Sequence, residues 1–291
     1  VDSRCLLRVS GFSNAKFGRI ECHEAINAYA REILLTAKQR LEAGGWRVVH
    51  GIVDSIQVTP DSDVDDDDRE DFEALATEIT ERVEIRLEHE ANYDWVAFVP
   101  QRESDAGALT KYFWKVVGAD EFKLRGIEAR QRSTPAFIED VQRECLERFD
   151  AVRSPEAVLT SLRDAIDRLH AGEVPIEDLV ERNRVSKPLE GYTQNTQSVA
   201  ALKRARDQDL AIHPGQDIEY VVVDDEKASR ERVALAHEEI ELYDPSYYET
   251  ELIRAVESLL SPLGWDRSKI RRELTETRVP DLTAFANTEQ S

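Results

Sequence analysis

Asp54 is the residue of this 291-residue chain whose type and surroundings best suit chemistry. It lies in Arg47–Val58, RVVHGIVDSIQV, where two runs rich in Val and Ile flank Gly51 and an Asp–Ser pair. Such a stretch reads as a strand, a tight turn and a returning strand, with Asp54 at or beside the tip. A carboxylate on a rigid turn suits a hard divalent cation, which takes oxygen ligands. Asp is also common in turns because its side chain bonds the local backbone. Taken alone, the hairpin favours that plainer reading.

A second chemical stretch is Thr110–Arg132. There TKYFWK and FKLRGIEARQR interleave aromatic residues with Lys111, Lys115, Lys123, Arg125, Arg130 and Arg132. In a chain of net charge −21 this local basic cluster is a candidate phosphate-backbone track. Strand faces that form ion pairs with an acidic surface would have the same composition, and composition does not choose between them. Asp61–Glu73 holds nine carboxylates in thirteen residues, opposed only by Arg69. An unbroken acidic run of this kind reads as a solvated loop rather than a metal site. The six histidines are scattered, and neither a phosphate-binding loop nor a dinucleotide glycine fingerprint is present. Cys5, Cys22 and Cys145 have neither metal-ligand spacing nor a disulfide framework, which points to a reducing cytoplasm. No apolar run approaches membrane-spanning length and no signal peptide is visible.

The elements that must position these residues are readable from periodicity. Ile26, Ala30, Ile33, Ala37 and Leu41 form one apolar stripe on a helix over His23–Ala43, which Gly44 and Gly45 end. This helix is expected beneath the hairpin. Phe72, Leu75, Ile79 and Val83 mark an amphipathic helix. Arg86–Val99 reads as an edge-like strand followed by a buried strand, DWVAFV. From Ser133 the chain is mainly helical. Ile138, Val141, Cys145 and Phe149 line one helix. Ser154 caps the next and Pro155 opens it, with Leu159, Leu162, Ile166 and Leu169 as its stripe. A helical piece is expected at Ile176–Asn183, a turn and strand at His213–Asp225, and closing helices at Ser246–Leu260 and Asp266–Leu274. The fold class is therefore α+β, with an antiparallel sheet followed by a mainly helical section.

The length is enough for a substantial core and about two domains. The 38 basic residues comprise 9 lysines and 29 arginines against 59 carboxylates. An acid-rich, lysine-poor, arginine-rich chain fits a halophilic cytoplasm, where salt mutes repulsion between solvated carboxylates. The chain begins at Val1 within what reads as continuing structure, as expected of a fragment, a processed product or an unusual start.

Several segments, in order, resemble the C-terminal half of an archaeal family B DNA polymerase. HGIVDS resembles the family's motif C, commonly Tyr-Gly-Asp-Thr-Asp-Ser. GFSNAKFGRIECHEAINAYARE is similar to the stretch after motif B that enters the palm helix. TKYF, with Lys111 and Tyr112, matches the end of a Lys-Lys-Arg-Tyr-like motif, and FKLRGIEARQRSTP resembles the passage from palm to thumb. VSKPLEGY, AIHPGQDIEYVVVDD and YDPSYYE resemble thumb segments.

The resemblance implies a partial palm over 1–135, a helical thumb over 136–280 and a flexible tail over 281–291. It implies that Asp54 is a catalytic ligand of Mg²⁺ in a site of two ions roughly 4 Å apart. His50, Gly51, Ile52 and Ser55 would be its motif neighbours. Lys111, Tyr112, Lys123, Arg125, Arg130 and Arg132 would contact primer–template DNA, with a dNTP as substrate. The departures are specific. Ile52 stands where the motif has its first Asp, His50 stands for the Tyr, and CLLRVSGF replaces the expected motif B segment. The carboxylate of motif A, the fingers and the exonuclease are absent from this sequence. The expectation is a polymerase portion that adds nucleotides only when an N-terminal half complements it, and is inactive alone. The alternative is a non-catalytic DNA-binding or scaffolding derivative. Leu282 and Phe285 give at most a weak sliding-clamp peptide, and no membrane partner is expected.

Overall fold

Regular apolar spacing builds both parts of the chain, and a computed structural model describes residues 19–52, 55–101 and 104–276. They belong to two units, divided between Asn92 and Tyr93. The expected palm–thumb boundary near 135 falls inside the second unit.

In the first unit, helix α1 (Ile20–Ala43) runs for 24 residues and ends at Gly44. Gly45, at φ 84°, turns the chain into strand β1 (Trp46–Ile52), which pairs antiparallel with β2 (Ser55–Pro60). Helix α2 (Phe72–Val83) starts where the Asp71 carboxylate accepts the Ala74 N–H. Ala37 and Leu41 of α1 and Leu75 and Ile79 of α2 form a small core, covered by Trp46, Val48, Ile56 and Val58 of the hairpin. The helix therefore packs on the hairpin as expected. Its stripe is buried only at the C-terminal end, and Ile26 is exposed.

The acidic loop between β2 and α2 is solvated at residues 65–68, and it is also pinned. Arg69 donates to the carbonyls of Gly45 and Val64 and pairs with Asp66 at 2.6 Å. Arg40 of α1 bridges Glu70 at 2.6 Å and Glu78 at 2.7 Å. A single guanidinium has enough donors to satisfy several oxygens in fixed directions, which a lysine could not do.

The second unit opens with a three-stranded antiparallel sheet in the order β3 (Tyr93–Gln101), β4 (Ser104–Val116), β5 (Phe122–Arg125). Here the structure corrects two expectations. Residues 86–92 form no strand, and DWVAFV is half-buried on a sheet edge rather than buried throughout. Helices α3 (Ala136–Val152) and α4 (Pro155–His170) follow. The Ser154 hydroxyl accepts the Glu156 N–H at the start of α4. The expected helix at Ile176–Asn183 is instead one 3₁₀ turn, Ile176–Leu179, then strand β6 (Glu181–Arg184). β6 pairs with β7 (Asp217–Val222), which pairs with β8 (Val233–Leu235). Helix α5 (Gln197–Asp207) was not expected from periodicity. Helices α6 (Pro245–Leu260) and α7 (Arg267–Glu276) close the unit as expected. One core joins the inner sheet face to α3, α4, α5, α6 and the β6–β8 sheet, with Phe113, Ile138, Leu162, Val221, Tyr248 and Val256 among its members.

Candidate nucleic-acid interface

Strand alternation decides which of the basic and aromatic residues can act together. Successive side chains of a strand point to opposite faces. Directly paired residues on neighbouring strands share a face. Tyr112 of β4 pairs with Phe98 of β3 and Arg125 of β5, and Trp114 pairs with Val96 and Lys123. These residues form the outer face. Its rings are in contact: Phe98 to Tyr112 at 5.3 Å, Tyr112 stacked on Trp114 at 5.1 Å and 21°, and Tyr93 edge-on to Trp114 at 5.9 Å. Lys123 and Arg125 are exposed beside this ladder, while Tyr112 is buried within it, 4% exposed.

The alternate residues form the inner face. Phe113 pairs with Ala97 and Leu124, and Lys115 with Trp95 and Phe122. Trp95 meets Phe113 and Phe149 edge-on at 5.8 Å each, contacts worth about 0.5–1.5 kcal/mol apiece beyond the area they bury. Its indole N–H donates to Asp150 of α3 at 2.8 Å. Lys115 lies over the Phe122 ring at 4.4 Å and donates to the Asp120 carbonyl. Lys111 also points inward, where its ammonium donates to Glu128 at 2.9 Å and to the Ser258 hydroxyl at 2.7 Å.

The six expected DNA-contacting residues are thus separated. Tyr112, Lys123 and Arg125 share the outer face, and Lys111 is on the opposite one. Arg130 is exposed at the end of a 3₁₀ turn, Glu128–Arg130. Arg132 pairs with Asp217 at 3.2 Å. Arg125 and Arg130 form no ion pair among the described residues. Phe98 and Trp114 complete the aromatic ladder, and sequence reasoning did not single them out for it. The period-2 pattern around Tyr112 carried that signal.

In the first unit, Gly51 pairs with Ile56 and Ile52 with Ser55. The Ser55 hydroxyl donates to the Ile52 carbonyl at 3.4 Å. His50 is buried, and desolvation lowers its pKa, which favours the neutral imidazole. Asp54 lies outside the described residues. Among the described residues, no group of three or more His, Cys, Asp or Glu side chains could together hold a metal ion. None of the described helices is long and apolar enough to cross a membrane. The segment around Leu282 and Phe285 also lies outside the described residues.

An antiparallel α+β fold with a basic, aromatic strand face defines a class of strand-and-helix proteins. Comparison with known proteins narrows it: residues 9–263 match the model of DNA polymerase family B, and the chain belongs to that family. It is 26% identical over 277 residues to a DNA polymerase of Pyrococcus horikoshii, covering 91% of this chain and 21% of that protein. It is 28% identical over 213 residues to a DNA polymerase of Archaeoglobus fulgidus, covering 73% of this chain and 26% of that protein. The family B DNA polymerase structure from Pyrobaculum calidifontis shares the fold, at 21% identity and a TM-score of 0.58, over 87% of this chain and 31% of that one. The chain therefore spans about a sixth to a third of the length of the relatives it matches.

Proposed function

We propose that this chain is the motif C and thumb portion of a DNA-directed DNA polymerase that works together with a polypeptide supplying the rest of the enzyme. The observation that carries the reading is the outer face of β3–β5, where Lys123 and Arg125 stand beside a ladder of four aromatic rings. Cations on a rigid strand can take phosphate oxygens at fixed spacing, and a backbone contact of this kind positions a duplex without reading its sequence. Arg130, exposed on the following turn, is a further candidate contact. In this reading Tyr112 stiffens the face from within its stack.

Asp54 would act as a carboxylate ligand, with Ser55 and His50 beside it on the hairpin. When bound, Mg²⁺ would supply charge neutralisation at the reacting phosphates, with the remaining carboxylate coming from the complementing polypeptide. Ile52 offers no side-chain oxygen where the family motif has its first Asp. The hairpin's own contribution is the antiparallel pairing that brings Ile52 and Ser55 together, and the neutral His50 adds no charge there. Primer–template DNA and a dNTP would be the partners, in the salt-rich cytoplasm that the arginine-heavy composition suits. A sliding clamp is the weakest partner, resting on Leu282 and Phe285 alone. A second reading, a DNA-binding scaffold with a decayed site, draws on one observation, the apolar Ile52 in motif C.

Both readings require duplex binding. Fluorescence anisotropy with a labelled primer–template at low salt should give saturable binding by the chain alone. The double variant Lys123→Glu, Arg125→Glu should weaken it by about 100-fold, since each lost phosphate contact is replaced by a repulsion. Unchanged affinity in that variant would remove the outer face from the account.

A further inference from the structure

We infer that Lys111 is a positioning residue rather than a DNA contact. With the buried Glu128, Gln142 and Ser258, the half-buried Lys111 would form an ionic clasp that fixes the helices to the sheet presenting Lys123 and Arg125. The inference rests on the DNA-binding reading above and gives it a structural mechanism.

The geometry of the clasp is complete on the protein side. The Lys111 ammonium donates to Glu128 Oε1 at 2.9 Å and to Ser258 Oγ at 2.7 Å. Glu128 is buried, and its second oxygen accepts from Gln142 Nε2 at 3.1 Å. Gln142 is 1% exposed and makes two further bonds, donating to the Ala255 carbonyl at 2.6 Å and accepting the Ala129 N–H at 2.6 Å. One network thus joins β4, the turn after β5, α3 and α6, across sequence separations of up to 147 residues. Arg254 stands farther out, 3.9 Å from Glu128.

Three arguments favour positioning over phosphate binding. Lys111 is on the opposite sheet face from Lys123 and Arg125, so a duplex lying along that outer face would not reach it. Its charge is already compensated by a buried carboxylate, and leaving that pair for a phosphate would leave Glu128 with only the longer contact to Arg254 at 3.9 Å. Every polar group of the network has directional partners, and such a network admits few alternative geometries.

The two roles predict opposite signs for one substitution. If Lys111 were a phosphate contact, Glu128→Gln would release its ammonium and strengthen duplex binding. If it is a clasp, Glu128→Gln should weaken binding about tenfold by loosening the helices from the sheet. Lys111→Met should weaken binding by a similar factor while the slope of log K against log [salt] stays at the wild-type value. Loss of a direct contact lowers that slope by about 0.9, as Lys123→Ala should do. The double variant Lys111→Met, Glu128→Met removes both charges and keeps the volume. It should remain folded by circular dichroism, so that lost binding can be separated from lost fold.

Amide exchange at Ala129 reads the clasp without DNA, because its N–H is held by Gln142. Exchange should quicken in Lys111→Met. Tighter binding by Glu128→Gln, a slope reduced by about one unit in Lys111→Met, or unchanged Ala129 exchange would each overturn the inference. Absence of duplex binding by the wild-type chain would instead defeat the DNA-binding reading, and the exchange measurement would still decide whether the clasp exists.

Discussion

At Gly126 the backbone is left-handed, φ 69°, and an added Cβ would sit 2.2 Å from the Thr110 carbonyl oxygen. Only glycine permits this approach, which brings the turn carrying Glu128 under Lys111. Gly172, which follows α4 at φ 72°, has nothing within 4 Å of such a Cβ. Gly126→Ala should therefore destabilise the second unit by about 3 kcal/mol, against about 1 kcal/mol of backbone strain for Gly172→Ala. Urea unfolding followed by tryptophan fluorescence measures both, and equal effects would mean that the clash is relieved. The same residues show what a sequence can reveal at this scale. Strand alternation alone separates Lys111 from Tyr112, although composition groups them. That Glu128 waits beneath Lys111 is a long-range fact, with no local trace beyond the RGIE turn. The hairpin around Asp54 was legible because Val and Ile runs flank a turn, and the pairing of Ile52 with Ser55 bears it out. The role of Asp54 came from family resemblance and rests there.

Among the elements, β6 carries the clearest physical consequence. Its Glu181 accepts the hydroxyls of Tyr220 at 2.9 Å and Tyr247 at 2.6 Å, tying β7 and α6 to the strand. Burial raises the Glu181 pKa above its ordinary 4.5. The two hydroxyl donors oppose that shift, Glu251 adds to it and Arg254 reduces it. A carboxyl with a raised folded pKa binds more protons in the native state. Its stabilisation is therefore complete below the ordinary carboxyl range and falls as pH rises through the folded value. The difference in unfolding free energy between wild type and Glu181→Gln should shrink or reverse across that window, in urea titrations from about pH 4 to 8. A constant difference would show that Glu181 does not titrate as its burial implies. Glu70 and Glu78 have the opposite sign, since Arg40 lowers both their pKa values and their contribution fades as pH falls. Helices with a cap and a long apolar stripe, such as α4 and α6, were legible in the sequence. Strand β6 was not, because ERNR has no alternation and becomes a strand only through its pairing with β7. Helix α5 went unread although Thr196 caps it, accepting the Val199 N–H. Its buried stripe is largely alanine, which gives a faint periodic signal.

For the whole molecule, a net charge of −21 opposes DNA at long range, so in the proposed reading binding would rely on local cations held in register rather than on long-range charge. Lys123 and Arg125 share one sheet face, and Arg40, Arg132, Arg204 and Arg267 are paired with carboxylates. Family membership was readable from short segments in the right order. Two domains were expected from length, but a division between Asn92 and Tyr93 was not readable, because it depends on which sheet packs on which helices. Primer extension by the purified chain, with Mg²⁺ and dNTPs, tests the central claim most directly, first alone and then with a polypeptide supplying the exonuclease, motif A and fingers. The account predicts no extension by the chain alone, and extension on mixing that disappears in Asp54→Ala. Incorporation by the isolated chain, or equal activity in Asp54→Ala after mixing, would contradict it.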